Sequence, residues 1–260
     1  MAPVIDEVPT PHRADLLEQG RQVLHQAAES GVTLRLLGSI AIFETCPKSR
    51  NLMDQLDRGA TTDIDFASLS KTSRPCQQFF TNLGYSLHPD LLHSQEFGVN
   101  RLVFEAVPGR PKVDVFLDAL TMSHTVNFKS RLAMDPYALT PSDLLLSKLQ
   151  VHELTRNDLI DLCVLLAEPD NLAPTFDLKY LQSVLGADWG FWYSALLNLE
   201  ALAAAVASFS SLDEQVVNRI QTNAQLLKGA IDEAPKSTKW KLRAKIGPKV
   251  KWYEDVEELQ

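Results

Sequence analysis

Cysteine is scarce in this sequence. Cys46, Cys76 and Cys163 are three in 260 residues and form no C-x-x-C. That spacing supports neither a zinc ribbon nor a disulfide framework. It suits a reducing compartment, so a cytoplasmic location is expected. The six histidines include no H-E-x-x-H, and neither G-x-x-x-x-G-K-[ST] nor G-x-S-x-G occurs. Zincin, P-loop ATPase and nucleophile-elbow hydrolase chemistries therefore have no support. The opening Met-Ala-Pro-Val-Ile-Asp-Glu has no basic region followed by an apolar one, so no signal peptide is expected there. The most apolar stretch, 194–209, is too short to span a bilayer and carries Glu200. A buried helix and no membrane partner follow. Basic charge is also in deficit. The chain has 25 Lys and Arg against 33 Asp and Glu, a net −8. An overall basic footprint for nucleic acid is absent, which leaves only a local patch.

What is present supports a packed core, since 45% of residues are hydrophobic. Periodicity reads as helix over 12–30, closed by Gly31, then strand over 32–37. Gly38-Ser39 breaks that strand ahead of a helix over 40–44, and 47–59 reads as loop. A strand over 61–68 and a helix over 73–83 follow. Two further strands, 97–107 and 112–117, flank Pro108-Gly109-Arg110-Pro111 and are expected to form a hairpin. The character changes near 136. Thr140-Pro141-Ser142-Asp143 has the chemistry of a helix start, and helices are expected over 144–154, 157–166, 178–185, 191–209 and 212–234. The expected organisation is α+β: residues 1–135 with a small mixed sheet, a helical domain over 136–235, and a tail over 236–260 that is first basic, then acidic.

The informative residues are acidic. Asp63-Ile64-Asp65-Phe66 and Val113-Asp114-Val115-Phe116 set aspartates among β-formers, where an uncompensated charge is costly. Residues i and i+2 of a strand share a face, so Asp63 and Asp65 are adjacent. Neighbouring strands lie about 4.8 Å apart. Three carboxylates converging at that range repel one another and partly protonate unless a cation intervenes. Mg²⁺, or Mn²⁺ in its place, fits a few carboxylates plus substrate phosphates. Gly38-Ser39 adds a close backbone approach, a hydroxyl and a helix N-terminus suited to phosphate. Asp118, four residues beyond Asp114, reads as solvated or structural.

With Gly38-Ser39, Asp63-x-Asp65 and Asp114, the chain resembles the DNA polymerase β-like nucleotidyltransferase superfamily. The resemblance implies that Gly38 and Ser39 hold a triphosphate and that Asp63, Asp65 and Asp114 are the metal-binding, catalytic carboxylates. Leu144-Leu-Leu-Ser-Lys148-Leu149, followed by Asn157-Asp158-Leu-Ile-Asp161-Leu162, is similar to motifs of AbiEii-type toxins, with Asn157 where those carry arginine. By that similarity Lys148 contacts phosphate, and Asp158 or Asp161 completes the site. The whole chain also looks like a bacterial nucleotidyltransferase-like family with no assigned substrate.

The expected activity is metal-dependent transfer of a nucleoside monophosphate from an NTP to an unknown acceptor: tRNA, a protein or a small molecule. A neutralising protein partner is conceivable by the toxin resemblance. The alternative is a catalytically silent nucleotide-binding or RNA-binding regulatory protein. Residues 236–251 hold seven Lys and Arg with no acid, and Trp240 and Trp252 lie in or beside that run. That mix suits either RNA contact or a tail packed on the acidic body by its tryptophans, and the second reading is preferred. Trp189 to Tyr193 reads as bundle core.

Overall fold

The apolar alternation of Ile64 and Phe66, and of Val113, Val115 and Leu117, places two strands at the centre of a sheet. The computed structural model describes residues 12–88, 101–169 and 172–255. Within them lie α1 (Arg13–Glu29), β1 (Arg35–Leu37), α2 (Gly38–Thr45), α3 (Leu52–Gln55), β2 (Asp63–Ser68), α4 (Ser73–Asn82), β3 (Arg101–Phe104) and β4 (Lys112–Leu117). They continue with β5 (Ala119–Thr121), β6 (Thr125–Asn127), α5 (Pro141–Leu149), α6 (Arg156–Ala167), α7 (Leu172–Thr175), α8 (Leu178–Ala187), α9 (Trp189–Val206), α10 (Glu214–Asp232) and α11 (Thr238–Ile246).

The fold is α+β with a small mixed sheet ordered β1-β2-β4-β3. β1 pairs antiparallel with β2, β2 parallel with β4, and β3 antiparallel with β4. The expected hairpin is therefore present over its described part; positions 97–100 lie outside the described residues. One sheet face is covered by helices. A side chain at Gly20 of α1 would meet Leu36 at 3.0 Å and Ile64 at 3.7 Å. Phe80 of α4 lies 4.6 Å from Phe104, 5.7 Å from Tyr85 and 6.2 Å from Phe66 between ring centres. Phe80 is fully buried. The opposite face carries the aspartates.

The helical half starts where the sequence says it should. Thr140 accepts from the Asp143 amide, and Asp143 accepts in return from the Thr140 amide, closing a capping box with Pro141 in the first turn. A second box, Thr155 with Asp158, opens α6. α2 touches both α5 and α6 as well as β2, so one contiguous apolar core runs from Leu16 to Ile231.

Several elements differ from expectation. The 47–59 segment contains the short helix α3, the short helix α7 forms at Leu172–Thr175, α5 ends at Leu149 rather than near 154, and β5–β6 forms an unexpected hairpin. Three-residue strands carry too little alternation to register. The chain turns into them at Asp118, whose φ is +63°. Its carboxylate is held by the Ser70 amide at 3.1 Å, the Ser70 hydroxyl and Lys129, which agrees with a structural role. A further one is α11, capped by Ser237. Its lysines mark it as charged and conceal its helicity.

The tail packs on the body. Trp240 meets Trp192 at 5.0 Å, and Trp252 meets Tyr193 at 5.0 Å. The Trp252 indole donates to the Ser194 hydroxyl at 3.1 Å. Burial pulls the pKa of His124 down to about 4. Its Nε2 lies 2.9 Å from that same hydroxyl, so the neutral imidazole and the Trp252 indole share one oxygen. Among the described residues no helix is long and apolar enough to cross a membrane.

Phe80→Ala is expected to cost about 3–5 kcal/mol in urea denaturation, the range for emptying a large aromatic site in a core. A loss below about 1 kcal/mol would show that the ring is not the hub of this cluster.

Candidate active site

The strand register builds the site. In the β2–β4 ladder Asp65 stands opposite Asp114, and Asp63 opposite Lys112. Alternation already puts Asp63 and Asp65 on one face, and the parallel pairing adds Asp114 to it. One carboxylate oxygen from each lies within 4.8 Å of the others. Asp114 is 2% exposed. Its Oδ2 is 2.5 Å from the Arg101 guanidinium, and its Oδ1 is 3.8 Å from the Lys112 ammonium. That Oδ1 accepts no hydrogen bond, although a buried carboxylate oxygen normally has a partner.

The electrostatics reflect a conflict. Burial first, then the charges of Asp63 and Asp114, push the pKa of Asp65 up to about 8. Burial followed by repulsion from Asp114 also raises that of Asp63. Three hard oxygen donors, one of them buried without a hydrogen bond, suit a hard divalent cation such as Mg²⁺ or Mn²⁺. The donor set and the shifts thus fit the expected ion.

Gly38 is required twice over. Its φ is +67°, where a side chain strains the backbone. A Cβ there would also lie 2.2 Å from Asp65 Oδ2. The first residue of α2 therefore lies directly against a triad carboxylate. Ser39 points elsewhere: its hydroxyl is 3.3 Å from that of Thr61, and it does not line the cavity described below.

Lys148 sits on α5 with its ammonium 2.9 Å from Asp158 Oδ1 and 2.8 Å from Asp161 Oδ2. Burial opposes its charge, but Asp161 and then Asp158 outweigh it and hold its pKa above the ordinary value. Asp161 is fully buried and forked by Arg58, whose Nε and Nη2 lie 2.6 and 3.0 Å from its two oxygens. Asp158 also closes the α6 capping box. Asp161 is thus an ion-pair anchor, whereas Asp158 serves the helix and also faces open space.

A cavity of about 560 Å³ joins these parts. Gly38, Asp65, Lys148 and Asp158 line it, together with Phe116, Leu120, Met122, His152, Tyr253 and Glu254. Of the residues expected at the site, Gly38, Asp65, Lys148 and Asp158 reach this space. Asp63 and Asp114 flank Asp65, while Ser39 and Asp161 do not line it. Sequence reading missed Lys112, Arg101, Arg58 and Tyr253. Lys112 was within reach, two residues before Asp114 on the same strand face. The other three arrive through long-range packing.

No family model, curated protein or solved structure matches this chain.

Two outcomes are expected. The unfolded chain releases the Asp65 proton near 3.8, whereas the folded protein keeps it to about 8. Stability of the metal-free protein therefore falls as pH rises through that window. Thermal melts in EDTA from pH 5 to 9 should show this fall, and Asp65→Asn should flatten it. Parallel curves for the two proteins would remove the assigned cause. Gly38→Ala should destabilise by about 1–3 kcal/mol through backbone strain alone, read by urea denaturation, with the carboxylate clash adding to it.

Proposed function

We propose that this protein has a DNA polymerase β-like nucleotidyltransferase fold and transfers a nucleoside monophosphate from an NTP, with pyrophosphate leaving, in a reaction that needs Mg²⁺ or Mn²⁺. The observation that carries the reading is the parallel register that sets Asp114 beside Asp65, with Gly38 against the Asp65 carboxylate. Asp63, Asp65 and Asp114 would hold the metal. A divalent cation bound there supplies charge stabilisation at the transferring phosphoryl group.

The chain's own groups do the positioning. The N-terminus of α2, entered at Gly38, offers unpaired amides and a favourable dipole to phosphate oxygens. Lys148 spends two contacts on Asp158 and Asp161. An ammonium has three donors, so one N–H remains for a phosphate in the cavity. Arg58 and the two aspartates hold that amine in place, which favours orientation over nucleophilic chemistry. Leu120 and Met122 give the same space an apolar wall.

One contact favours a second reading, nucleotide binding without transfer. Arg101 already occupies Asp114 Oδ2, so a positive group competes for one triad oxygen.

Purified protein incubated with each α-labelled NTP, Mg²⁺ and a cell lysate separates the two readings. Transfer predicts a labelled acceptor. Asp63→Asn or Asp65→Asn should lower the rate by about 10²–10³-fold, since a metal clamp supplies several kcal/mol at the transition state. Metal-dependent NTP binding with no labelled product would favour the silent reading. Full labelling by Asp65→Asn would sink the site assignment.

A further inference from the structure

We infer that the segment Trp252–Asp255 is an autoinhibitory latch on the cavity: seated, it holds two carboxylates at the rim, and a polyphosphate must unseat it to bind. This rests on the polyphosphate reading of the same cavity. The latch is built from a few separable contacts. The Trp252 carbonyl lies 2.5 Å from where a Cβ at Gly190 would be, so the strap runs in a slot that only glycine leaves open. The Trp252 indole bonds to Ser194. The Tyr253 ring stacks on His152 at 3.6 Å, and the Glu254 amide donates to the Ser123 carbonyl at 3.1 Å. The strap thus ties together α9, the α5–α6 connection and the β5–β6 turn. Ser123 and His152 themselves line the cavity.

Charge gives the latch its sign. Glu254 and Asp255 both line the cavity, as does Glu153. Asp255 is met by Lys251 at 2.5 Å, an exposed pair, whereas Glu254 has no ion pair among the described residues. Among the described residues Lys148 is the only lysine or arginine that lines the cavity, and two aspartates already share it. Charge at the triad can be balanced by the metal. Charge at the rim cannot, and it opposes an incoming polyphosphate. Of the basic run that precedes the strap only Lys251 relieves this, at Asp255; Lys239, Lys241, Lys245 and Lys249 are exposed, none of them lines the cavity, and Glu254 is left uncompensated.

The test uses the full chain with ATP and Mg²⁺. Glu254→Gln combined with Asp255→Asn alters only exposed side chains and should leave the fold intact. In calorimetry it should tighten ATP binding by about three- to tenfold at low salt, with the gain fading at about 0.5 M salt as rim charge is screened. Hydrogen exchange gives a second readout, since the Glu254 amide should exchange faster once ATP is bound. Unchanged or weaker binding by the variant, or slower exchange of that amide with ATP, would overturn the latch. If the wild type binds ATP normally and the variant matches it, the latch alone fails. If neither protein binds ATP in the presence of Mg²⁺, the polyphosphate reading fails and takes the latch with it.

Discussion

The parallel pairing of β2 with β4 is the constraint on which the rest of this molecule depends. It is favoured by apolar residues, with Ile64 opposite Val113 and Phe66 opposite Val115, all buried against helices on one side. The same register forces Asp65 and Asp114 together on the other side. Strand geometry cannot improve one face without crowding the other, because a shift by one residue would invert both. Part of that cost shows at Asp65, whose pKa is pushed up by burial first and then by the charges of Asp63 and Asp114. Arg101 and Lys112 offset part of it, and a divalent cation would offset more.

The helical half is coupled to this sheet through α2 and through charge. α2 begins at Gly38, against the Asp65 carboxylate, and packs on α5 and α6. Arg58, from the segment between α3 and β2, clamps Asp161 of α6, and Asp161 in turn holds Lys148 of α5. A buried, bidentate pair of this kind gives specificity of arrangement more than net stability. Here it fixes the height at which the Lys148 amine meets the cavity. The tail closes the remaining side by aromatic packing, with Trp252 set on α9 and Tyr253 stacked on His152.

Local chemistry was legible in the sequence. Thr140-Pro141-Ser142-Asp143 announces a helix start because a capping box is a contact between residues three apart. Pro108-Gly109-Arg110-Pro111 announces a turn because proline and glycine restrict or free the backbone on the spot. The alternation in Asp63-Ile64-Asp65-Phe66 puts both carboxylates on one strand face through pleat geometry alone. The inward packing of Trp240 and Trp252 was also the preferred reading of the tail. The β5–β6 hairpin was not legible, since its strands are three residues each, and the lysines of α11 obscured a helix that Ser237 caps.

The sequence by itself determined the longer helices and the central strands, which face of β2 is acidic and that Gly38 stands before a helix, because these depend on interactions within a few residues. Only the tertiary structure decided that Asp114 sits opposite Asp65, that Arg101 and Arg58 supply the balancing charge, that Asp161 anchors rather than lines the site, and that Glu254 stands at the cavity rim. Those outcomes depend on register and packing between segments up to roughly two hundred residues apart. Such contacts are selected by the shared burial of many side chains, and no local pattern encodes them.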